Sequence, residues 1–260
     1  MEQLDIKSAF LNDELKEEIW MIPPPSIGQD GKILWLHKAL YGLKQGPLQW
    51  FEKLATVLAE LGFVSLPFHP CVFINITLNV ILVVYVDDIT IVGPKLQIEI
   101  LIDHLKSHFK VSVKGGLIYI LGIEVNETEH GLDIYQRQYI TNMLTRFGIE
   151  NCRSVQTLID PKAPLVKADG SEPPHEWTLY QQMIGSLMYL VTCTRPDLAF
   201  SDSFLSRFSS HPLKCHHTAA KTVFRYIAGT RFLSLKYYQS TASVCHGGSL
   251  NYIADTPTIK

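Results

Sequence analysis

Long apolar runs are missing from this chain. Its most hydrophobic stretch, residues 81–93 (ILVVYVDDITIVG), is interrupted by two acids, Asp87 and Asp88. Nothing else nears the run of about 20 residues that a membrane span needs. Cysteines are few, odd in number and widely spaced: Cys71, Cys152, Cys193, Cys215 and Cys245. That argues against a disulfide framework and predicts reduced thiols in an intracellular compartment. The opening MEQLDIKSAF has neither the basic start nor the apolar core of a signal peptide, so a secreted product is not expected. Strong charge of one sign is absent too. The net charge is −2, which does not advertise a phosphate-tracking surface, although a local basic groove fits inside a neutral total. Repeats and low-complexity tracts are also lacking.

What remains is a globular composition. Hydrophobic residues make up 47% of the 260, enough for one large domain or two small ones. The chain opens with an element already under way at Leu4. EEIWMI (17–22) reads as a strand closed by Pro23-Pro24-Pro25, and 32–41 follows a polar turn. Pro47 opens a helix whose apolar face is Trp50, Leu54, Val57, Leu58 and Leu61, stopped by Gly62. Residues 71–76 and 79–92 are β-rich. Ile98, Leu101, Ile102, Leu105 and Phe109 mark an amphipathic helix. Residues 117–126 and 131–136 read as paired strands, and a helix runs from about Arg137 to Phe147. The Pro- and charge-rich 151–177 reads as a linker. Three helices follow, at about 178–191, 196–209 and 216–228, with Thr194 as a cap for the second. The expected class is α+β with an appended helical subdomain: 1–150, linker 151–177, helices over 178–232, tail 233–260.

Adjacent acids inside the most apolar strand-like run need a reason. Read as a hairpin, 79–85 and 88–92 are strands and Val86-Asp87 the turn. Both carboxylates then project from a stiff tip. At about 4 Å and an effective dielectric near 20, their repulsion is about 4 kcal/mol. Such a pair persists by sharing a proton or binding cations, and oxygen ligands suit Mg²⁺ or Mn²⁺. The plainer reading, that Asp is simply a good turn residue, stands beside it.

Tyr85-Val86-Asp87-Asp88 resembles the YVDD hairpin of reverse transcriptases. More of the chain is similar to the polymerase of Ty1/copia-type LTR retrotransposons. LDIKSAFLNDELKEEIWM (4–21) resembles its first palm motif and ALYGLKQGPLQWFEKL (39–54) its second. YILGIEV (119–125) resembles the stretch after the catalytic hairpin. YQQMIGSLMYLVTCTRPDLAF (180–200), LSRF (205–208) and AAKTVFRYIAGT (219–230) resemble its helical thumb and connection.

The resemblance implies a polymerase palm followed by a thumb/connection, and an RNA-directed DNA polymerase. Asp5 would be the third carboxylate, and Asp5, Asp87, Asp88 and the Ile6 carbonyl would hold two Mg²⁺ or Mn²⁺ ions. Template with primer (RNA or DNA) and dNTPs would be the partners, in a cytoplasmic particle or the nucleus. Phe10 would sit under the sugar and select deoxynucleotides; a core phenylalanine is the other reading. Gln45 would contact the nascent base pair or template, or be a surface glutamine. Tyr85 would pack near the primer end, or be an ordinary strand tyrosine. Leu121-Gly122 would help the primer grip, and a tight hairpin would want the same glycine.

Some expectations point elsewhere. No counterpart of the family's fingers precedes Asp5 here, and none of its RNase H domain follows Thr230. A catalytically dead remnant that at most binds nucleic acid or a host partner is therefore the alternative. Cys215-His216-His217 and Cys245-His246 carry metal-binding residue types at a spacing that matches no zinc pattern. An unrelated Mg²⁺-dependent phosphohydrolase would leave the ordered blocks unexplained.

Overall fold

The fold is that of a computed structural model, which describes residues 1–24, 26, 31–129, 131–159, 165–167, 173 and 175–238. The chain divides into two compact units, Met1–Leu117 and Ile118–Lys260.

The first unit runs β1 (Glu2–Ile6), β2 (Glu14–Met21), β3 (Leu34–Lys38), α1 (Gly46–Glu60), β4 (Val64–Leu66), β5 (His69–Asn75), β6 (Val80–Tyr85), β7 (Asp88–Val92), α2 (Lys95–His108) and β8 (Val111–Gly115). Six strands form one sheet in the order β4-β5-β6-β7-β1-β8, and β2 and β3 pair separately. Its strand pairs are antiparallel. Period-2 alternation sets the faces. In β6, Val80, Leu82 and Val84 are buried while Ile81, Val83 and Tyr85 are exposed. The inward residues join Leu4, Ile6, Ile89 and Ile91 in a core with the apolar stripes of the two helices: Trp50, Leu54, Val57 and Leu58 of α1, and Ile98, Leu101, Ile102 and Leu105 of α2. Pro47 lies in the first turn of α1, and Gly62, at φ +78°, lets the chain leave it.

The second unit runs β9 (Tyr119–Ile120), β10 (Ile123–Thr128), β11 (Gly131–Tyr135), α3 (Arg137–Arg146), α4 (Trp177–Cys193), α5 (Ala199–Ser206), α6 (Lys214–Gly229) and β12 (Leu235–Tyr238). Its sheet has the order β12-β11-β10-β9. The helices enclose their own core, including Ile140, Met143, Leu144, Tyr180, Leu187, Leu190, Val223 and Phe224.

This α+β content matches the expected class, but several boundaries differ. The units divide after Leu117, not at 151–177. Residues 118–150 belong with the helices because β11 pairs with β12 and α3 packs its apolar face into the helical core. Leu158, Ile159 and Leu165 also pack against that core, so the described part of the supposed linker is docked. Leu235–Tyr238, assigned to a tail, is a sheet strand. The single strand expected over 117–126 breaks at Leu121-Gly122, where φ is +49° and +79°. Positive φ at two successive residues is the tight-hairpin turn β9–β10 needs. Thr194 does not cap the next helix; it ends α4 as its C-cap, and its hydroxyl donates to the buried Gln136 Oε1 at 2.8 Å. A 3-10 turn, Pro196–Leu198, stands where that helix was expected to start.

Candidate active site

β6 and β7 form the hairpin, with Tyr85 opposite Asp88 and Val86-Asp87 as the two-residue turn. Val86 has φ +57°, and Asp87 is not in the positive-φ region. That is the pattern of a type II′ turn, which ordinarily places glycine first. A β-branched residue there is strained by roughly 1–3 kcal/mol. Two features hold it: Trp50 Nε1–H donates to the Val86 carbonyl at 2.7 Å, and the Val86 side chain packs on the core.

β1 lies between β7 and β8, and its register places Asp5 directly opposite Asp88. The Ile6 N–H donates to the Asp87 carbonyl at 2.8 Å. In an extended strand a residue's N–H and C=O point to the same side, so the Ile6 carbonyl also faces the turn. Leu4 and Ile6 go into the core, and Asp5 projects from the opposite face with Asp88. The N-terminal aspartate therefore meets the acidic hairpin through ordinary sheet pairing.

Like charges directly opposite each other destabilise a sheet. Two lysines offset this. Lys114 Nζ on β8 bridges Asp88 at 2.7 Å and Asp5 at 3.2 Å, and Lys7 Nζ lies 3.0 Å from Asp5. The Lys7 hydrogen bond, helped by Lys114 and opposed by partial burial, holds Asp5 below the usual carboxylate range. The Asp88 hydrogen bond, assisted by Asp5, raises Lys114 above the ordinary lysine value. The three acids do not present oxygens all within 4.8 Å of one another; among the described residues only Glu60, His104 and His108 form a group that meets this spacing. The donor set is hard oxygen, and the Lys114 ammonium occupies the space between Asp5 and Asp88.

Tyr85 is exposed on β6 beside Asp88. Phe10 is buried, and its ring lies 4.5 Å from that of the exposed Tyr41. Partial burial, and behind it the charges of Asp87 and Asp5, push the Tyr41 hydroxyl above its ordinary pKa. The aromatic surface next to the acids is thus Tyr41, with Phe10 beneath it. Gln45 donates to Glu17 Oε2 at 2.8 Å. Leu121 and Gly122 lie in the second unit. A Cβ at Gly122 would come within 2.7 Å of the Tyr189 hydroxyl, which donates to the Leu121 carbonyl. The close approach this glycine permits is thus to Tyr189.

Sequence reasoning missed Lys114, Tyr41 and the Trp50 brace. The signal for Lys114 was there: VSVK (111–114) alternates at period 2 and ends on Gly115-Gly116. Near the site, a cleft of about 510 Å³ is lined by Lys7, Lys38, Lys106 and Lys110. It is a local basic groove inside a near-neutral chain. The weaker zinc candidate dissolves: His216 Nδ1 accepts from the Leu213 N–H, His216 Nε2 lies on the Val166 carbonyl, and His217 Nε2 lies on the His175 carbonyl. Cys245 and His246 lie outside the described residues.

Residues 1–161 match the family model for reverse transcriptase (RNA-dependent DNA polymerase). The chain belongs to the reverse transcriptase family. It is 35% identical over 263 residues to the retrovirus-related Pol polyprotein from transposon TNT 1-94 of Nicotiana tabacum, covering 96% of this chain and 19% of that protein. It is 37% identical over 235 residues to the corresponding polyprotein from transposon RE1 of Arabidopsis thaliana, covering 88% and 16%. A transposon Ty5-1 protein of Saccharomyces cerevisiae is 28% identical over 243 residues, with 90% and 78% covered. These relatives place the reverse transcriptase region among Ty1/copia-type LTR retrotransposon Pol sequences. It spans less than a fifth of the two plant polyproteins. No helix among its described residues is long and apolar enough to cross a membrane.

Proposed function

We propose that this reverse transcriptase region carries out RNA-directed DNA synthesis: a primer 3′-hydroxyl attacks the α-phosphate of a dNTP and pyrophosphate leaves. The six-stranded sheet is the palm on this reading, and the helices of the second unit are the thumb/connection. The observation that carries it is the β1–β7 register, which sets Asp5 against Asp88 with the Ile6 N–H on the Asp87 carbonyl.

Asp5, Asp87, Asp88 and the Ile6 carbonyl would hold two Mg²⁺ or Mn²⁺ ions, which when bound lower the pKa of the attacking hydroxyl and neutralise charge on the leaving oxygens. The protein's own share is positioning and preorganised charge. The paired strands fix the carboxylates on a platform anchored by Leu4, Ile6, Ile89 and Ile91. The Trp50 bond keeps the turn from relaxing. Lys7, Lys38, Lys106 and Lys110 offer a phosphate-binding cleft. Tyr85 and Tyr41 present aromatic surface beside the acids, where a primer terminus and an incoming sugar have to lie. Phe10 supports Tyr41, Gln45 would contact the nascent base pair or template once released from Glu17, and the Leu121-Gly122 turn, braced by Tyr189, would help the primer grip.

A second reading, a nucleic-acid-binding remnant without polymerase activity, is favoured by one feature: Lys114 and Lys7 already pair with Asp5 and Asp88. Primer extension on an RNA template with Mg²⁺ and dNTPs separates the two. The polymerase reading expects incorporation that Asp87→Asn abolishes. Incorporation no higher than that of Asp87→Asn, with template still bound, leaves only the second.

A further inference from the structure

Away from the carboxylate site, α1 ends on Glu60, and α2 carries His104 and His108 one turn apart. Both imidazole Nε2 atoms converge on one carboxylate oxygen: His104 at 3.4 Å and His108 at 3.5 Å from Glu60 Oε2. Those distances are long for charge-assisted hydrogen bonds, which cluster at about 2.7–2.9 Å. They match a different requirement. Donors bonded at about 2.0–2.1 Å to a tetrahedral zinc stand about 3.3–3.4 Å apart. All three ligand atoms lie within 4.8 Å of one another. Glu60 is also misplaced for helix stability, since a carboxylate in the last turn faces the negative end of the helix dipole. A cation between the three side chains removes that penalty.

We propose that Glu60, His104 and His108 bind a divalent transition-metal ion of the zinc class, with water in the fourth position. Two imidazoles and one carboxylate select zinc-like ions over Mg²⁺, which prefers an all-oxygen shell. The ion clips the C-terminal end of α1 to that of α2, the two helices that cover the core face of the sheet. His104 Nε2 also lies 3.3 Å from the Val57 carbonyl, a contact it gives up when it ligates metal. The side chains are only partly buried, so the ion reaches them from solvent. The argument for this site does not use the polymerase reading, although His108 also lines the lysine cleft.

The test is Co²⁺ titration of the full 260-residue chain, followed by visible absorption, then displacement with Zn²⁺. The proposal expects one saturable site with the d–d bands of a tetrahedral centre and no thiolate charge-transfer band. Excess Mg²⁺ does not displace the ion, and Zn²⁺ raises the melting temperature. His108→Gln and Glu60→Gln each raise the apparent Kd by more than about 100-fold, beyond the 10–100-fold typical of losing an outer-shell partner. Both variants keep the metal-free melting temperature of the parent. Absence of saturable binding, a thiolate band, or unchanged affinity in both variants overturns it.

Discussion

The two units treat charge in opposite ways. In the first, Asp5, Asp87 and Asp88 sit on the open face or rim of a sheet, and the partners of Asp5 and Asp88 are the partly exposed Lys7 and Lys114. In the second, charge is sunk into the structure. Arg195 is 1% exposed; its guanidinium donates to both Asp197 oxygens at 2.8 and 2.9 Å and to the Thr230 carbonyl and hydroxyl. His216 and His217 are buried against backbone carbonyls, and burial lowers both below the usual histidine pKa. Polar groups that finish their bonds inside the protein build a scaffold. Groups left at a surface, with exchangeable partners, are what a ligand meets.

Arg195→Ala gives the largest contrast. It removes the bidentate ion pair to Asp197, to which Tyr226 Oη still donates at 3.3 Å, and frees the end of α6 at Thr230, so unfolding stability falls by about 2–4 kcal/mol in urea titration. Asp87→Asn costs little stability in the same assay. If Arg195→Ala is as stable as the parent, the scaffold half of the comparison fails.

Gly122→Ala comes next. The residue has φ +79° and faces Tyr189, so a Cβ adds both backbone strain and a clash. A loss of about 1–2 kcal/mol is expected in thermal unfolding. The equivalent change at Gly116, which has no positive φ and whose Cβ would meet only the Met1 carbonyl at 4.0 Å, is nearly neutral.

Lys114→Met sharpens the other half. Removing the ammonium that bridges Asp5 and Asp88 tightens Mn²⁺ binding by about threefold to tenfold, on the scale of a partly screened charge pair. Unchanged affinity would mean that the lysine and the cation do not share the site.

The smallest effect concerns pH. Asp202 is buried on α5 with Oδ1 unpartnered, and desolvation raises its pKa. A raised folded-state pKa in an acid means the folded protein holds the proton more tightly, so ionisation costs stability above the ordinary carboxylate pKa near 3.9. Asp202→Asn therefore stabilises at pH 7 by about 1 kcal/mol. The gain disappears as pH falls below about 4. A gain that persists there would assign it to packing.

How far the sequence led depends on the same contrast. Asp87 and Asp88 were conspicuous because ionisable groups in an apolar run need a reason, and reading them at a hairpin tip gives the turn found between β6 and β7. The helices were legible from apolar spacing at Trp50, Leu54 and Val57 and at Ile98, Leu101 and Ile102. Asp5 was not legible from composition or periodicity. It entered by family resemblance, and the long-range β1–β7 register is what makes it a neighbour. Lys114 escaped because β8 is five residues long. The division at Leu117 escaped because β12, far along the chain, completes a sheet that starts at Tyr119. Arg195 looked like part of a family block, and only tertiary packing shows that its role is to hold a helix end.

The most direct test of the central claim is Mn²⁺ binding followed by electron paramagnetic resonance, with the parent chain set against Asp5→Asn and Asp87→Asn, and fold monitored by melting temperature. If the strand pairing makes one cradle from three acids, either substitution weakens Mn²⁺ by more than about tenfold with the melting temperature essentially kept, as expected when a charged ligand is lost. Equal affinity in the parent and Asp5→Asn would contradict it.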